Sequence, residues 1–227
     1  DPRHRPRPPA ATRQSLGLPD DRFVFASFNA ARKITPQTLA LWAEILRSKP
    51  DSLLWMLIDN PQARQNVLAR LARLGIGTDL ILFAANADYD HHIARLQAAD
   101  LGLDTFPYNG HTTTSDMLWA GLPVLTKKGS NFASRVSESL LNASGLPELV
   151  MPDERSFIDT AVTMTRAQCQ DLKDRLHRDR HALALFDSRT FCRNLEHVFQ
   201  LMRQRAQNNL PPSQIELLSS AAAVDEM

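Results

Sequence analysis

Short apolar segments alternate with longer amphipathic ones through most of the chain, and this alternation restricts the fold more than any other feature. Strands that are apolar on both faces, separated by helices of about ten or more residues, indicate a parallel sheet covered on both sides. Residues 22–151 are therefore predicted to form a doubly wound α/β domain. Six apolar runs typical of buried strands occupy residues 23–29, 52–59, 79–84, 100–104, 123–126 and 146–151.

The helices between these strands are predicted from their start and stop signals. Pro36 begins the first helix, because the first helical position does not need a backbone N–H. Residues 153–205 are predicted to form two or three further amphipathic helices, with apolar stripes that start at Phe157 and Phe191. The other predicted helices cover residues 61–74, 88–98, 112–121 and 131–142.

The two ends of the chain differ from this pattern. Four of the first nine residues are proline, interleaved with Arg3, Arg5 and Arg7, which predicts a Pro/Arg-rich linker over residues 1–20. Residues 206–227 are predicted to be a flexible tail. The α/β domain with its C-terminal helices would then cover residues 21–205. Because the chain opens in a linker and without Met, we expect it to be part of a longer protein.

Charge and cysteine content narrow the class of protein. The 26 Lys and Arg nearly balance the 25 Asp and Glu, which argues against a nucleic-acid-binding protein. No apolar run reaches the roughly eighteen residues of a membrane span, and the N-terminus does not resemble a signal peptide. The two cysteines, Cys169 and Cys192, fit no metal spacing and are expected to be apolar helix residues in a reducing cytoplasm.

Several polar residues follow the carboxyl ends of the predicted strands, where doubly wound sheets bind ligands. Lys33 follows the first strand and could neutralise phosphate, although a solvated surface lysine is the commoner explanation for one such residue. His92 and Arg95 follow the third strand, three residues apart on one helix face, and could accept an anion or the edge of a base. Two surface histidines, His91 and His92, are the alternative. Adjacent histidines do not converge on one ion, so no metal site is expected.

The turn after the fourth strand is the most informative. The strand ends at Asp104, Gly110 permits a close approach of the backbone, and four hydroxyl residues at 112–115 open the next helix. Free N–H groups at a helix N-terminus, with hydroxyls beside them, can bind phosphate. A helix cap needs only one such residue, so the run favours a binding function. Asp116, one turn further on, is suited to accept hydrogen bonds from ribose hydroxyls.

The sequence lacks the motifs of other common α/β ligand and catalytic sites. The motifs GxGxxG and GxxxxGK[ST] are missing, as is the GxSxG elbow of α/β-hydrolases. Lys127 and Lys128 after the fifth strand could add positive potential, although surface lysines are again the commoner explanation. A diphosphate held by a helix N-terminus and one lysine indicates a nucleotide-diphosphate ligand.

Three blocks of sequence resemble one enzyme family, the O-GlcNAc transferase (SPINDLY-like) family of inverting GT-B glycosyltransferases. The blocks are FNAARKITP, ADYDHHIARLQAADLGLDT and NGHTTTSDMLWAGLPVLT, the last followed by ASRV. The resemblance runs from about Leu16 to Arg205. It implies a Rossmann-like domain, the C-terminal half of a GT-B enzyme that transfers GlcNAc from UDP-GlcNAc to Ser or Thr of proteins.

The resemblance also implies roles for residues around the phosphate turn. Lys33 would contact the diphosphate and stabilise the UDP leaving group. His111, Thr112 and Thr113 would hold the phosphates, and Asp116 would bind the ribose hydroxyls.

The family's uracil-binding residues match positions on the neighbouring loop and helix. His92 and Arg95 would line the uracil side, and the backbone of Ala87 would bind the edge of the base. The family is metal-independent, so neither a metal nor another cofactor is expected. An N-terminal catalytic half, usually preceded by tetratricopeptide repeats, would supply the remaining groups of the active site.

Two other functions remain open at this point. One is a binding module that holds UDP or a UDP-sugar without catalysis. The other is a GT-B glycosyltransferase, or an epimerase-like enzyme, that uses a different nucleotide sugar.

Overall fold

The computed structural model describes residues 2–217, and within them six strands form a single parallel sheet. The strand order is β3-β2-β1-β4-β5-β6, and each neighbouring pair is parallel. The predicted doubly wound parallel sheet is confirmed. The strands are β1 (Phe23–Ser27), β2 (Ser52–Met56), β3 (Ile81–Phe83), β4 (Leu101–Leu103), β5 (Val124–Lys127) and β6 (Val150–Met151).

Eight α-helices accompany the sheet in this part of the chain. Pro36 and Pro61 stand at the first turns of α1 and α2, as the sequence predicts, and the side chains of Thr35 and Asn60 cap these helices. Gly75 follows α2 with a φ of 79°, a left-handed conformation that glycine adopts without strain. The helices are α1 (Pro36–Ser48), α2 (Pro61–Arg73), α3 (Tyr89–Leu96), α4 (Thr112–Ala120), α5 (Val136–Ala143), α6 (Glu154–Thr163), α7 (Arg166–Asp179) and α8 (Ser188–Gln207).

The core forms around the central strand β1. Val24, Phe25 and Ala26 are fully buried, because helices cover both faces of this strand. Trp42 of α1 and Trp119 of α4 are also fully buried. Each large side chain removed from water in this way contributes about 1.5–3 kcal/mol. The packing fixes α4 against the sheet, and α4 carries the candidate phosphate turn.

The single helix predicted over residues 131–142 is wrong. A 3-10 turn, Phe132–Ser134, comes first, and α5 begins only at Val136. The side chain of Asn131 accepts from the Ser134 N–H at 3.0 Å, and the Ser134 hydroxyl is 3.1 Å from the Asn131 N–H. This reciprocal pair closes the short turn by itself and separates it from the helix. The strand predicted from residue 79 also starts later, after a 3-10 turn at Thr78–Leu80.

Three helices follow the sheet, in agreement with the prediction for residues 153–205. The stripe of α6 is buried, with Phe157 edge-on to Phe106 at 5.2 Å between ring centroids. The stripe of α8 remains exposed in the described structure: Phe191 is 64% and Phe199 57% accessible. Cys169 lies buried in α7, and Cys192 is exposed on α8. Within residues 2–217, no helix combines the length and apolar character that a membrane crossing requires.

The N-terminal segment predicted to be a linker docks on the domain. The Arg13 guanidinium donates to the Ala98 carbonyl at 3.1 Å and to Asp100 at 2.7 Å. The Ala11 N–H donates to the Ala94 carbonyl at 3.2 Å. These contacts place residues 11–13 against the C-terminal part of α3 and the residues that follow it. Part of the predicted tail, residues 218–227, lies outside the described residues.

Candidate functional site

The candidate site lies where β1 and β4 end side by side. The chain runs outward from β1 to β2 and β3, and then crosses back to β4 on the other side of β1. The loops that leave two such strands diverge, and the crevice between them is where open α/β sheets bind ligands. Here the two loops cover residues 28–35 and 104–111.

Asp104 holds the second loop in shape. Its side chain is buried and accepts from the Gly110 N–H at 2.7 Å, the Thr105 N–H at 2.8 Å and the Thr126 hydroxyl at 2.6 Å. Burial raises the pKa of this carboxyl, and the hydrogen bonds from Thr126 and Gly110 oppose that change. The sequence placed Asp104 at the end of a strand and gave it no function. An acidic residue at a strand end, six residues before a glycine, was the available signal.

Gly110 allows this loop to pass closely over α4. A Cβ atom at this position would overlap the Thr114 hydroxyl and lie 3.0 Å from Asn29 Oδ1. The Thr114 and Ser137 hydroxyls are 3.1 Å apart, and Ser137 donates to the Gly110 carbonyl at 3.0 Å. Thr114 therefore fastens the turn, which leaves Thr112 and Thr113 at the open end of the helix.

The N-terminus of α4 is not closed by its own sequence. His111 occupies the N-cap position, and its side chain makes no capping hydrogen bond to the first turn within the described chain. The imidazole packs between the rings of Tyr108 and Phe132, at centroid distances of 5.0 and 6.1 Å. His111 Nε2 is buried without a hydrogen-bond partner in residues 2–217. The first N–H groups of α4 are thus available to an anion.

A cavity of about 450 Å³ opens in front of this helix end. Three of the predicted site residues line it, so the structure brings together His111, Thr112 and Asp116. Its lining includes Arg5, Tyr89, His111, Thr112, Ser115 and Asp116.

Lys33 approaches the same loop from the other strand. It ends a 3-10 turn, Ala31–Lys33, and its ammonium donates to the Asn109 carbonyl at 2.8 Å. The ammonium also lies 4.1 Å from the centroid of the Tyr108 ring. Burial lowers the pKa of Lys33, and the charge of Asp104 opposes that change. The Lys33 ammonium therefore contacts Asn109, which lies two residues before the N-cap residue His111.

His92 and Arg95 share one face of α3, as their spacing predicts. Arg95 Nη2 is 3.0 Å from His92 Nδ1, while His91 is exposed and pairs with Asp88. Burial lowers the pKa of His92, and the charge of Arg95 lowers it further. The Asp88 side chain caps α3 by accepting from the His91 N–H.

Arg95 itself is buried and bound to the protein. Its guanidinium lies 5.0 Å from the centroid of the Phe28 ring and donates to the Ala85 carbonyl. Ala85 belongs to the loop that carries Ala87, which is exposed. Arg95 therefore holds the loop in place. Of the three residues predicted to line the uracil side, Ala87 is the one that the loop exposes to solvent.

Comparison with known proteins places this arrangement in a family. The sequence profile of Glycosyl transferase family 41 matches residues 5–195. The chain belongs to this family. A UDP-N-acetylglucosamine--peptide N-acetylglucosaminyltransferase of Caenorhabditis elegans is 35% identical over 202 residues, covering 88% of this chain and 18% of that protein. The probable transferase SEC of Arabidopsis thaliana, of the same description, is 34% identical over 202 residues, covering 88% and 20%.

A solved structure agrees with the sequence comparison. A mutant of the Thermobaculum terrenum O-GlcNAc transferase superposes with a TM-score of 0.78 at 30% identity, over 84% of this chain and 38% of that one. The family 41 chain described here spans about a fifth of the length of the curated relatives that it matches.

Two cations near the site are already paired in this family 41 domain. Lys127 bonds to Glu154 and Lys128 to Glu138, each at 3.0 Å, so neither adds free positive charge. Within the described residues, no group of three or more His, Cys, Asp or Glu could hold a metal ion. The sequence missed Arg5 and Tyr89, which line the cavity, because nothing local in the sequence links them to Asp116.

Proposed function

We propose that this chain is the donor-binding half of an inverting protein O-GlcNAc transferase and that its ligand is UDP-GlcNAc. The observation that carries the proposal is the open N-terminus of α4, with Lys33 beside it and Asp116 one turn further along. Family membership supports the transferase class, and the names of the relatives supply the donor and the peptide acceptor.

The diphosphate would lie against the first turn of α4. The N–H groups and hydroxyls of Thr112 and Thr113 would donate to the phosphate oxygens, and the helix dipole would favour their negative charge. Lys33 would supply the compact positive charge that stabilises UDP as it leaves. These groups together would replace a metal ion.

The nucleoside would extend from α4 toward α3. Asp116 would accept from the ribose hydroxyls, because its carboxylate lines the same cavity as Thr112. The backbone of Ala87 would bind the uracil edge, on the loop that Arg95 shapes, with His92 alongside.

Other parts of the proposal concern the whole protein. The acceptor would be Ser or Thr of a protein, and an N-terminal catalytic half with tetratricopeptide repeats would complete the active site. We propose the cytoplasm as its compartment, and neither nucleic acid nor a membrane as a partner.

Calorimetric titration with UDP, ADP and GDP tests the proposal. We expect the chain to bind UDP in preference to the other two, and Asp116→Ala to weaken UDP binding by about 10- to 100-fold, the usual effect of losing a hydrogen bond to a charged group. Asp171→Ala, which removes an exposed carboxylate from α7, is the matched control. Selective binding of ADP or GDP would point to another nucleotide sugar. A folded chain that binds none of the three would refute the donor-binding role.

A further inference from the structure

We infer that Arg5 is a positioning residue that orients the Asp116 carboxylate toward the ribose. This inference rests on the proposed function, since it assigns a ribose to the cavity in front of α4. It adds a residue from the N-terminal segment to a site otherwise built from strand ends and helix starts.

The Arg5 guanidinium is directed to one end of the cavity by several contacts. Its Nε donates to the Tyr89 hydroxyl at 3.1 Å, its Nη1 to the Ser115 hydroxyl at 3.3 Å, and its Nη2 to Asp116 Oδ1. The same group lies 5.1 Å from the centroid of the Trp119 ring. A planar group with three directed hydrogen bonds and an aromatic neighbour is held in one orientation.

The backbone next to Arg5 is fixed as well. The Trp119 indole N–H donates to the Pro6 carbonyl at 2.7 Å, and Trp119 is fully buried in α4. The Arg7 guanidinium lies 2.8 Å from a ring nitrogen of His181. The segment is thereby attached to α4, the helix that carries Asp116.

These contacts leave one oxygen of Asp116 for a ligand. Oδ1 accepts from both Arg5 and the Tyr89 hydroxyl, the latter at 2.7 Å. Among residues 2–217, no hydrogen bond reaches Oδ2. The side chain of Asp116 is 9% exposed, so its charge has lost most of its hydration, and the adjacent guanidinium offsets that loss. Arg5 and Tyr89 therefore fix the rotamer in which Oδ2 can accept from a ribose hydroxyl.

The test compares UDP with 2′,3′-dideoxy-UDP, which lacks both ribose hydroxyls, in calorimetric titrations of the whole chain. We expect the wild type to bind UDP about ten-fold or more tightly than the dideoxy compound, and Arg5→Ala to lose most of that ratio. The affinity for dideoxy-UDP should stay unchanged, which shows that the variant keeps its fold and its phosphate site. Arg5→Lys, which keeps the charge without the fork of donors, should recover part of the ratio.

Arg7→Ala is the matched control, because it removes an arginine from the same segment without touching Asp116. An unchanged ratio in Arg5→Ala would overturn the inference, and so would tighter UDP binding, which would show that Arg5 obstructs the ribose. If Arg5→Ala fails to fold, Arg5→Gln replaces it under the same criteria. Absence of UDP binding by the wild type would reject the proposed function itself, and with it the ribose that Arg5 would serve.

Discussion

At the scale of single residues, the neighbours of each lysine near the site determine whether its charge is available to a ligand. Lys33 is the main example: its ammonium is held by a backbone carbonyl and an aromatic ring, without an ion pair to a carboxylate among the described residues. Lys127 and Lys128 lie at a neighbouring strand end and are each neutralised by glutamate. Of the three, Lys33 therefore has the charge that a phosphate can use.

Replacing Lys33 with alanine should remove that charge without disturbing the fold. We expect Lys33→Ala to weaken UDP binding by about 10- to 100-fold and to lower transfer in the full-length enzyme by about 100-fold or more. Lys128→Ala, at an exposed lysine paired with Glu138, should leave both properties close to wild type. Titration calorimetry and a glycosyl-transfer assay measure the two effects. Near-normal turnover of Lys33→Ala would remove Lys33 from the catalytic role.

His92 should make the stability of the fold depend on pH. Burial, and then the charge of Arg95, lower the pKa of His92 from its usual 6.5, while Asp116 opposes this change. The unfolded chain therefore takes up the proton at a higher pH than the folded chain does. The contribution of neutral His92 to the free energy of unfolding is fully present above pH 6.5 and is lost as the pH falls through the lowered pKa.

Chemical denaturation at about pH 7.5 and about pH 5 measures this dependence. We expect His92→Gln to lose less free energy of unfolding on acidification than the wild type does. His91→Gln is the matched control, because His91 is exposed on the same helix. Equal losses in the wild type and in His92→Gln would contradict the expected titration.

The residues that sequence could find are those with a local pattern around them. The run of hydroxyl residues after Gly110 shows a helix start with more donors than a cap needs, and His92 and Arg95 have helical spacing. Arg5 could not be found in this way, because it reaches Asp116 across 111 positions of sequence. Only the docking of the N-terminal segment on α4 brings the two together.

At the scale of elements, the presence or absence of a capping side chain distinguishes the candidate binding helix from the other helices. Six of the eight α-helices in residues 2–217 begin with a side chain that caps the first turn, whereas α4 and α5 do not. A 3-10 turn with its own cap leads into α5. Helix α4 is therefore the one that begins directly from a loop with an uncapped turn. Start signals such as Pro36 can be recognised in the sequence, which is why most helix starts were predicted well.

A side chain that caps α4 should raise the free energy of unfolding and weaken nucleotide binding. We expect His111→Asn, which introduces a capping amide, to raise the free energy of unfolding by about 1 kcal/mol relative to His111→Ala. The same substitution should weaken UDP binding relative to His111→Ala, because the amide would occupy N–H groups that the phosphates need. Urea denaturation and titration calorimetry of the two variants measure these differences. Stronger UDP binding by His111→Asn would show that the phosphates do not use these groups.

At the scale of the whole molecule, the sheet and its covering helices account for the fold, and α8 stands apart. The sequence predicted the strands but not their order, because strands that are apolar on both faces do not reveal their neighbours. It predicted the apolar stripe of α8, but not that the stripe would remain uncovered in the described structure. In both cases the sequence does not show which surfaces of the strands and helices contact each other.

Removing α8 should therefore leave the fold intact. Helix α8 has no buried residue, so we expect deletion of residues 188–227 to change the free energy of unfolding by less than about 1 kcal/mol. Deletion from residue 166 onward is the comparison, because it also removes Cys169, Leu172 and Leu176, which α7 buries in the core. That deletion should abolish cooperative unfolding. A large loss of stability on removing α8 alone would show that its contacts matter more than its exposure indicates.

Under the proposed function, the uncapped turn of α4 would also couple folding to the concentration of the nucleotide. A side chain that caps a helix is always present, whereas a phosphate in the same position is present only when the nucleotide is bound. Because the unfolded chain cannot arrange these N–H groups, a ligand at one hundred times its dissociation constant would add about 2.7 kcal/mol to the free energy of unfolding. The lifetime of the folded domain would then follow the concentration of the proposed nucleotide, because the empty domain unfolds more readily than the occupied one.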